Sequence, residues 1–290
     1  MTRIALFLAT NVAIMIVISV VFSLFGLSGT LQSNGVDLDL NALLIISMVV
    51  GTTGSVISLA MSKSMAKRSM GVQVIEQPKN STEEWLVSIV SKQADKAGIG
   101  MPEVGIFNNP TPNAFATGMN KNNALVAVST GLINAMSKDE VEAVLGHEVS
   151  HVANGDMITM ALMQGVVNTF VYFFASVIGH IVDRVILKNE RGHGIGYFVT
   201  QMLAQVVLSF LASMIVMWFS RYREFHADKG GANLAGKDKM IAALRALQRS
   251  HEPSDMPEEL AAFGINGGQV KKLFMSHPPL EKRIAALQNN

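Results

Sequence analysis

The chain has 290 residues, no cysteine, a formal net charge of +1 and only 16% charged residues. Without cysteine there is no disulfide framework, no thiolate nucleophile and no Cys-type structural zinc site, so any zinc has to be held by histidine and carboxylate. The near-zero charge carries no nucleic-acid footprint, and the positive mean hydropathy does not suit an ordinary pair of soluble domains. The eighteen methionines lie mostly inside long apolar runs, where they read as flexible packing filler.

Residues Ile4 to Leu27 are uncharged and long enough to cross a hydrocarbon core of ~30 Å as an uncleaved helix. An acidic connector without Lys or Arg follows. A second span then runs from Asn41 to Met61, with Gly51 and Gly54 suited to close helix packing. Arg3 before the first span and Lys63, Lys67 and Arg68 after the second place both ends of this hairpin on the cytoplasmic side. Residues 1–70 therefore form an N-terminal transmembrane hairpin, and 71–156 change character to a soluble segment.

In that segment Val72–Ile75, Pro102–Phe107 and Ala124–Ser129 read as strands, and Glu83–Ala97 as a helix ending at Gly98. Asn108–Asn113 is a turn-rich loop, followed by Ala114–Gly118. The apolar strand Ala124–Ser129 reads either as a plain core strand or as an edge onto which an extended peptide adds.

Ser137–Asp156 carries the chemistry. Ser137 and Glu140 have capping-box spacing, Asn154-Gly155 supplies the stop, and Val141, Val144, Leu145 and Val149 recur at helical spacing. His147 and His151 are four apart, so both imidazoles project from one face of the helix and reach one ion. Glu148 stands beside that ion, placed to take a proton from a water the ion activates. His-Glu-x-x-His on a helix is the zinc metallopeptidase pattern; a satisfied polar histidine pair is the competing reading.

Two more apolar stretches follow, Met157–Leu187 and Ile195–Phe219. Residues 157–220 are read as a second transmembrane or partly embedded hairpin, since a connector bearing Lys188, Arg191 and His193 on the outer side would break the positive-inside bias. His180, Asp183 and Arg184 are expected at the outer interface.

A catalytic zinc takes three protein ligands and leaves one position for water. A metzincin would place a third histidine six residues beyond His151, where Met157 stands. The candidate third ligand is instead Glu224, on a helix continuing from the last apolar stretch into 221–290, the second part of the soluble domain. Asp228, one turn on, is expected to orient a ligating imidazole. His226 should face elsewhere. Lys239–Ser250 is an amphipathic helix, 251–269 a loop that reads as a surface segment or a cover over the site, and a short helix runs through Ile284 and Leu287.

Taken together, His147-Glu-Val-Ser-His151, the paired apolar segments and Glu224-Phe-His-Ala-Asp228 resemble the HtpX-type membrane zinc metalloproteases, relatives of the CaaX prenyl-protein proteases. So do the two leading spans, Asn113-Ala-Phe-Ala and Ser276-His-Pro-Pro-Leu-Glu-Lys-Arg283. The resemblance implies an α-helical membrane protein with about four transmembrane helices and an α+β zincin-like (gluzincin) catalytic domain. It implies one Zn2+ per chain on His147, His151 and Glu224, Glu148 as general base and acid, and Asp228 as an orienting residue. Asn113 and His277 are implied near the substrate and the developing oxyanion. The expected setting is the bacterial inner membrane, multi-pass, with a cytoplasmic active site. The lipid bilayer and protein substrates, above all membrane proteins, are the expected partners, with no nucleic acid; the sequence is silent on oligomeric state. A peptidase for prenylated C-termini and a non-catalytic zinc scaffold are the alternatives. Because His151 precedes one apolar stretch and Glu224 follows another, the hairpin between them must leave and return to one face, with the site opening toward membrane-derived substrates.

Overall fold

The computed structural model describes residues 38–189, 192–250 and 277–289, with isolated positions before residue 38. The expected first span and the 251–269 loop lie outside the described residues. The chain divides into two units, residues 59–158 with 217–290 and residues 1–58 with 159–216.

The first of these units is built on a four-stranded sheet in the order β1-β2-β4-β3, comprising β1 (Gln73–Val74), β2 (Glu103–Phe107), β3 (Ala114–Asn120) and β4 (Asn123–Ser129). β4 runs parallel to β2 and antiparallel to β3, and β1 is antiparallel to β2. Residues Leu125 to Val128 are fully buried. The apolar run of β4 therefore reflects a strand covered on both faces. Val126 and Val128 point into the main core, while Leu125 and Ala127 pack with Phe107 and Phe115 on the other side. Of the two readings of β4, the core strand holds and the peptide-pairing edge does not, because both its neighbours are occupied; β1 and β3 are the edge strands. Ala114–Asn120 escapes notice in the sequence because it is only half-buried and shifts register at Gly118.

Helices pack on the Val126 face: α2 (Ser81–Ala97), α3 (Thr130–Ala135) and α4 (Lys138–Asn154). α2 starts where Asn80 accepts the Glu83 amide and stops at Gly98 in the left-handed conformation. α4 has the full capping box between Ser137 and Glu140, and Gly155 ends it at φ 62. Its Val141, Val144, Leu145, Val149 and Val152 sink into the core, each contributing about 1.5–3 kcal/mol. That burial fixes the rotation of α4 and hence the direction of its polar residues. α7 (Lys237–Ser250) and α8 (Leu280–Gln288) close the core with Met240, Leu244, Ile284 and Leu287.

The other unit contains parts of three long helices, α1 (Leu40–Ser69), α5 (Asp156–Ile181, with a π turn over Val182–Ile186) and α6 (Ile195–Ala235). Among the described residues, these are the ones long and apolar enough to cross a membrane. Gly51 lets the backbone of α1 approach α5, since a Cβ there would stand 2.6 Å from the Thr169 nitrogen. Phe198, Met202, Val206, Phe210 and Trp218 are exposed along α6, the surface a hydrocarbon solvent covers.

A crossing of α4 and α6 decides where the polar residues meet. A Cβ on Gly231 would stand 2.9 Å from the His147 nitrogen and 3.1 Å from both its Cα and Met240 Sδ. Gly231→Ala is expected to destabilise this unit by about 1–3 kcal/mol, read as a lowered melting temperature of the detergent-solubilised chain.

Candidate active site

Because α4 buries its valines and Leu145, His147 and His151 face α6. Their rings are almost perpendicular with centroids 4.6 Å apart, and their Nε2 atoms are 3.1 Å apart. Glu224 of α6 brings Oε2 to 3.6 Å from His147 Nε2 and Oε1 to 3.4 Å from His151 Nε2. One ligand atom from each of the three lies within 4.8 Å of the others. Ligands at 2.0–2.2 Å around a tetrahedral ion stand roughly 3.3 Å apart, so this spacing fits a single metal ion.

The outer nitrogens explain why the inner ones are available. His147 Nδ1 is 3.0 Å from Asp228 Oδ1, and His151 Nδ1 is 2.7 Å from Asp156 Oδ2. A carboxylate only accepts, so each Nδ1 carries the proton and each Nε2 keeps its lone pair. Three acceptors then face one point, an arrangement a cation satisfies.

Arg283 of α8 is buried and forks onto Asp228, Nε to Oδ2 at 2.8 Å and Nη2 to Oδ1 at 2.6 Å, with Nη1 3.1 Å from Glu224 Oε2. Arg223 pairs with Asp156. Four carboxylates, Glu148, Asp156, Glu224 and Asp228, are thus buried with two guanidiniums. With neutral histidines the cluster is two negative charges in excess, which a divalent ion balances. The same field acts on His151: burial alone would lower its pKa, but the Glu224 and Glu148 carboxylates outweigh burial and raise it.

His277 joins the cluster through Nδ1, 2.7 Å from Glu224 Oε2, with most of its side chain exposed. Glu148 is buried next to His147 on α4. His226 is exposed and turns back to the Tyr222 carbonyl, as its spacing predicts. Asn113 stands at the head of β3, its amide and carbonyl bonded to Ser129; its exposed side chain makes none of the contacts that join the cluster. Sequence reasoning missed three members. Asp156 sits just past the Gly155 stop and reads as a helix boundary, Arg223 stands beside Glu224 with no signal of its partner, and Arg283 carries no local signal beyond its place in the closing Ser276–Arg283 stretch.

A His-Glu-x-x-His helix whose two histidines converge with a glutamate from a later helix, in a chain that also has helices of membrane-spanning length, defines a membrane metalloprotease. The chain belongs to peptidase family M48, whose model matches residues 80–290. It is 64% identical over 288 residues to Protease HtpX of Pseudoalteromonas atlantica and 65% identical over 291 residues to Protease HtpX of Thioalkalivibrio sulfidiphilus, with 99% of each chain covered in both cases. Among solved structures it resembles S. mikatae Ste24p, with a TM-score of 0.60 at 17% identity over 93% of this chain and 66% of that one. That likeness is one of fold.

Asp156→Ala should leave α4 folded but free the His151 ring, weakening metal affinity about 10–100-fold. Competition with a chromophoric chelator measures the change.

Proposed function

We propose that the chain is a zinc-dependent integral-membrane endopeptidase that hydrolyses peptide bonds of misfolded or damaged membrane proteins, in quality control at the bacterial inner membrane with its active site toward the cytoplasm. The observation that carries this reading is the convergence of His147 Nε2, His151 Nε2 and the Glu224 carboxylate beside the buried Glu148. Two imidazole ligands and one carboxylate suit zinc rather than magnesium or calcium. Three protein ligands among the described residues leave a coordination position open, which favours a catalytic over a closed structural site. The protease names of its relatives favour the same activity.

When bound there, zinc supplies a Lewis acid that polarises the scissile carbonyl and makes water a competent nucleophile near neutral pH. Glu148 takes the proton of the attacking water and returns it to the leaving amine. Asp228 and Asp156 hold the two imidazoles in the ligating tautomer. Burial would raise the Asp228 carboxyl, but the Arg283 fork outweighs it and keeps Asp228 ionised. His277, exposed beside Glu224, is positioned to donate toward the oxyanion as it develops, and Asn113, at the head of the edge strand β3, toward the substrate backbone. β3 offers its free edge to an extended peptide. The apolar stretch Ile195–Phe219 and Glu224 share one unbroken helix, which supports membrane-derived substrates.

Cleavage of an unfolded or membrane-embedded protein by the detergent-purified chain should disappear with a chelator and return with zinc. Glu148→Gln is expected to lower turnover by about 10²–10⁴-fold with zinc retained; full proteolysis by that variant overturns the assignment of the base. His147→Ala and Glu224→Ala should lose zinc by elemental analysis. Because protons compete with the metal for imidazole, activity should fall on acidification.

A further inference from the structure

A second pair of imidazoles converges elsewhere, in the unit of residues 1–58 and 159–216. His180 lies one residue from the end of α5 and His193 in the connector to α6. Their Nε2 atoms are 2.9 Å apart, and the rings stand at 76° with centroids 4.8 Å apart. The His147–His151 pair has nearly the same geometry, 3.1 Å, 89° and 4.6 Å.

The surroundings of the second pair prepare it in the same way. His180 Nδ1 lies 2.8 Å from the Ser176 carbonyl. A carbonyl only accepts, so Nδ1 carries the proton and the Nε2 lone pair points at His193. The connector is tied down around its other member. Asp183, 2% exposed, accepts the Gly194 amide at 3.0 Å and the Asn189 side-chain amide at 2.9 Å. Arg184 donates to the Asn189 carbonyl at 2.8 Å, and Lys188 turns the chain at φ 52. His193, directly before Gly194, is thereby fixed against α5.

The Tyr197 ring packs on both imidazoles, 4.6 Å from His180 and 4.3 Å from His193, and closes one side. His193 itself is exposed, so water can fill further coordination positions. Asp183 offsets the neighbouring Arg184 charge, which would otherwise repel a cation. Its Oδ2 accepts both connector bonds, so it acts as a brace.

From this geometry we propose that His180 and His193 form a second metal site, a two-imidazole clamp for a divalent transition ion of the zinc, nickel and copper class. With two protein ligands it binds more weakly than the three-ligand site and exchanges with the surrounding solution. The proposal is independent of the proteolytic function, and its test does not read activity alone.

Untagged full-length protein in detergent, stripped with a chelator and brought to equilibrium by dialysis against micromolar Zn2+, should hold two ions per chain. His193→Gln and His180→Gln should each hold one, and the ion that remains reports an intact fold. A His193→Gln ion count equal to that of the wild type overturns the proposal, and the pair is then a neutral imidazole–imidazole hydrogen bond. On the wild-type chain, Zn2+ should also shield His193 from diethyl pyrocarbonate, mapped by peptide mass spectrometry. Unchanged labelling of His193 at saturating zinc overturns it without recourse to a variant.

Discussion

Excess buried negative charge is the constraint on which the rest of the structure depends. Glu148, Asp156, Glu224 and Asp228 are each at most 9% exposed and gather around two imidazoles. Taking a carboxylate out of water costs several kcal/mol unless it is paired and hydrogen-bonded. Arg283 and Arg223 supply part of the compensation, through a bidentate fork on Asp228 and a pair with Asp156. The remainder falls on the point where three acceptors meet. An apolar core of the same volume would be more stable; the cluster is arranged to make a divalent ion the cheapest way of completing it.

Holding that arrangement needs three chain segments far apart in sequence. α4 contributes the histidines, α6 the carboxylates Glu224 and Asp228, and α8 the arginine. Each is held by apolar contacts on the side away from the cluster: Val141, Leu145 and Val149 on α4, Met240 and Leu244 on α7 next to α6, and Ile284 and Leu287 on α8. Ala227, fully buried between the two acids of α6, fixes the rotation of that helix. The electrostatic cost is therefore met by hydrophobic burial in the same elements that carry the charges.

What the sequence discloses follows from how local each feature is. α4 is legible because its start, stop, apolar stripe and two histidines all lie within twenty residues. Glu224 is legible by chemistry, since two imidazoles need a third ligand and the alternative position holds Met157. Asp228 follows from the helical period, one turn beyond Glu224. Asp156 and Arg283 are hidden for the opposite reason: which group meets His151 Nδ1 or Asp228 is decided by tertiary packing. β4 is readable as a strand from its apolar run, but its place in the middle of the sheet depends on β3, whose half-buried pattern leaves no periodic trace.

The course of α6 shows how one local property sets the accuracy of the site. The hydropathy of the chain falls sharply near Arg221, yet no proline or glycine lies between Tyr197 and Lys229, and the helix runs unbroken from Ile195 to Ala235, as the sequence leads one to expect. Glu224 and Asp228 therefore share one rigid rod and one face, a turn apart. A flexible joint between them would let each carboxylate settle on its own cation, Glu224 on His277 and Asp228 on Arg283. Because the rod holds them together, the Glu224–His277 and Asp228–Arg283 pairs form without parting the two acids: Arg283 contacts both carboxylates at once, His147 is held between Asp228 on its outer nitrogen and Glu224 on its inner one, and the inner lone pairs stay directed at a common point. Glycines 230 and 231 follow after Lys229, so the rod approaches α4 most closely just beyond the residues that matter. The spacing of acids on α6 and the absence of side chains after them are two halves of one requirement, that an imidazole be gripped from both sides.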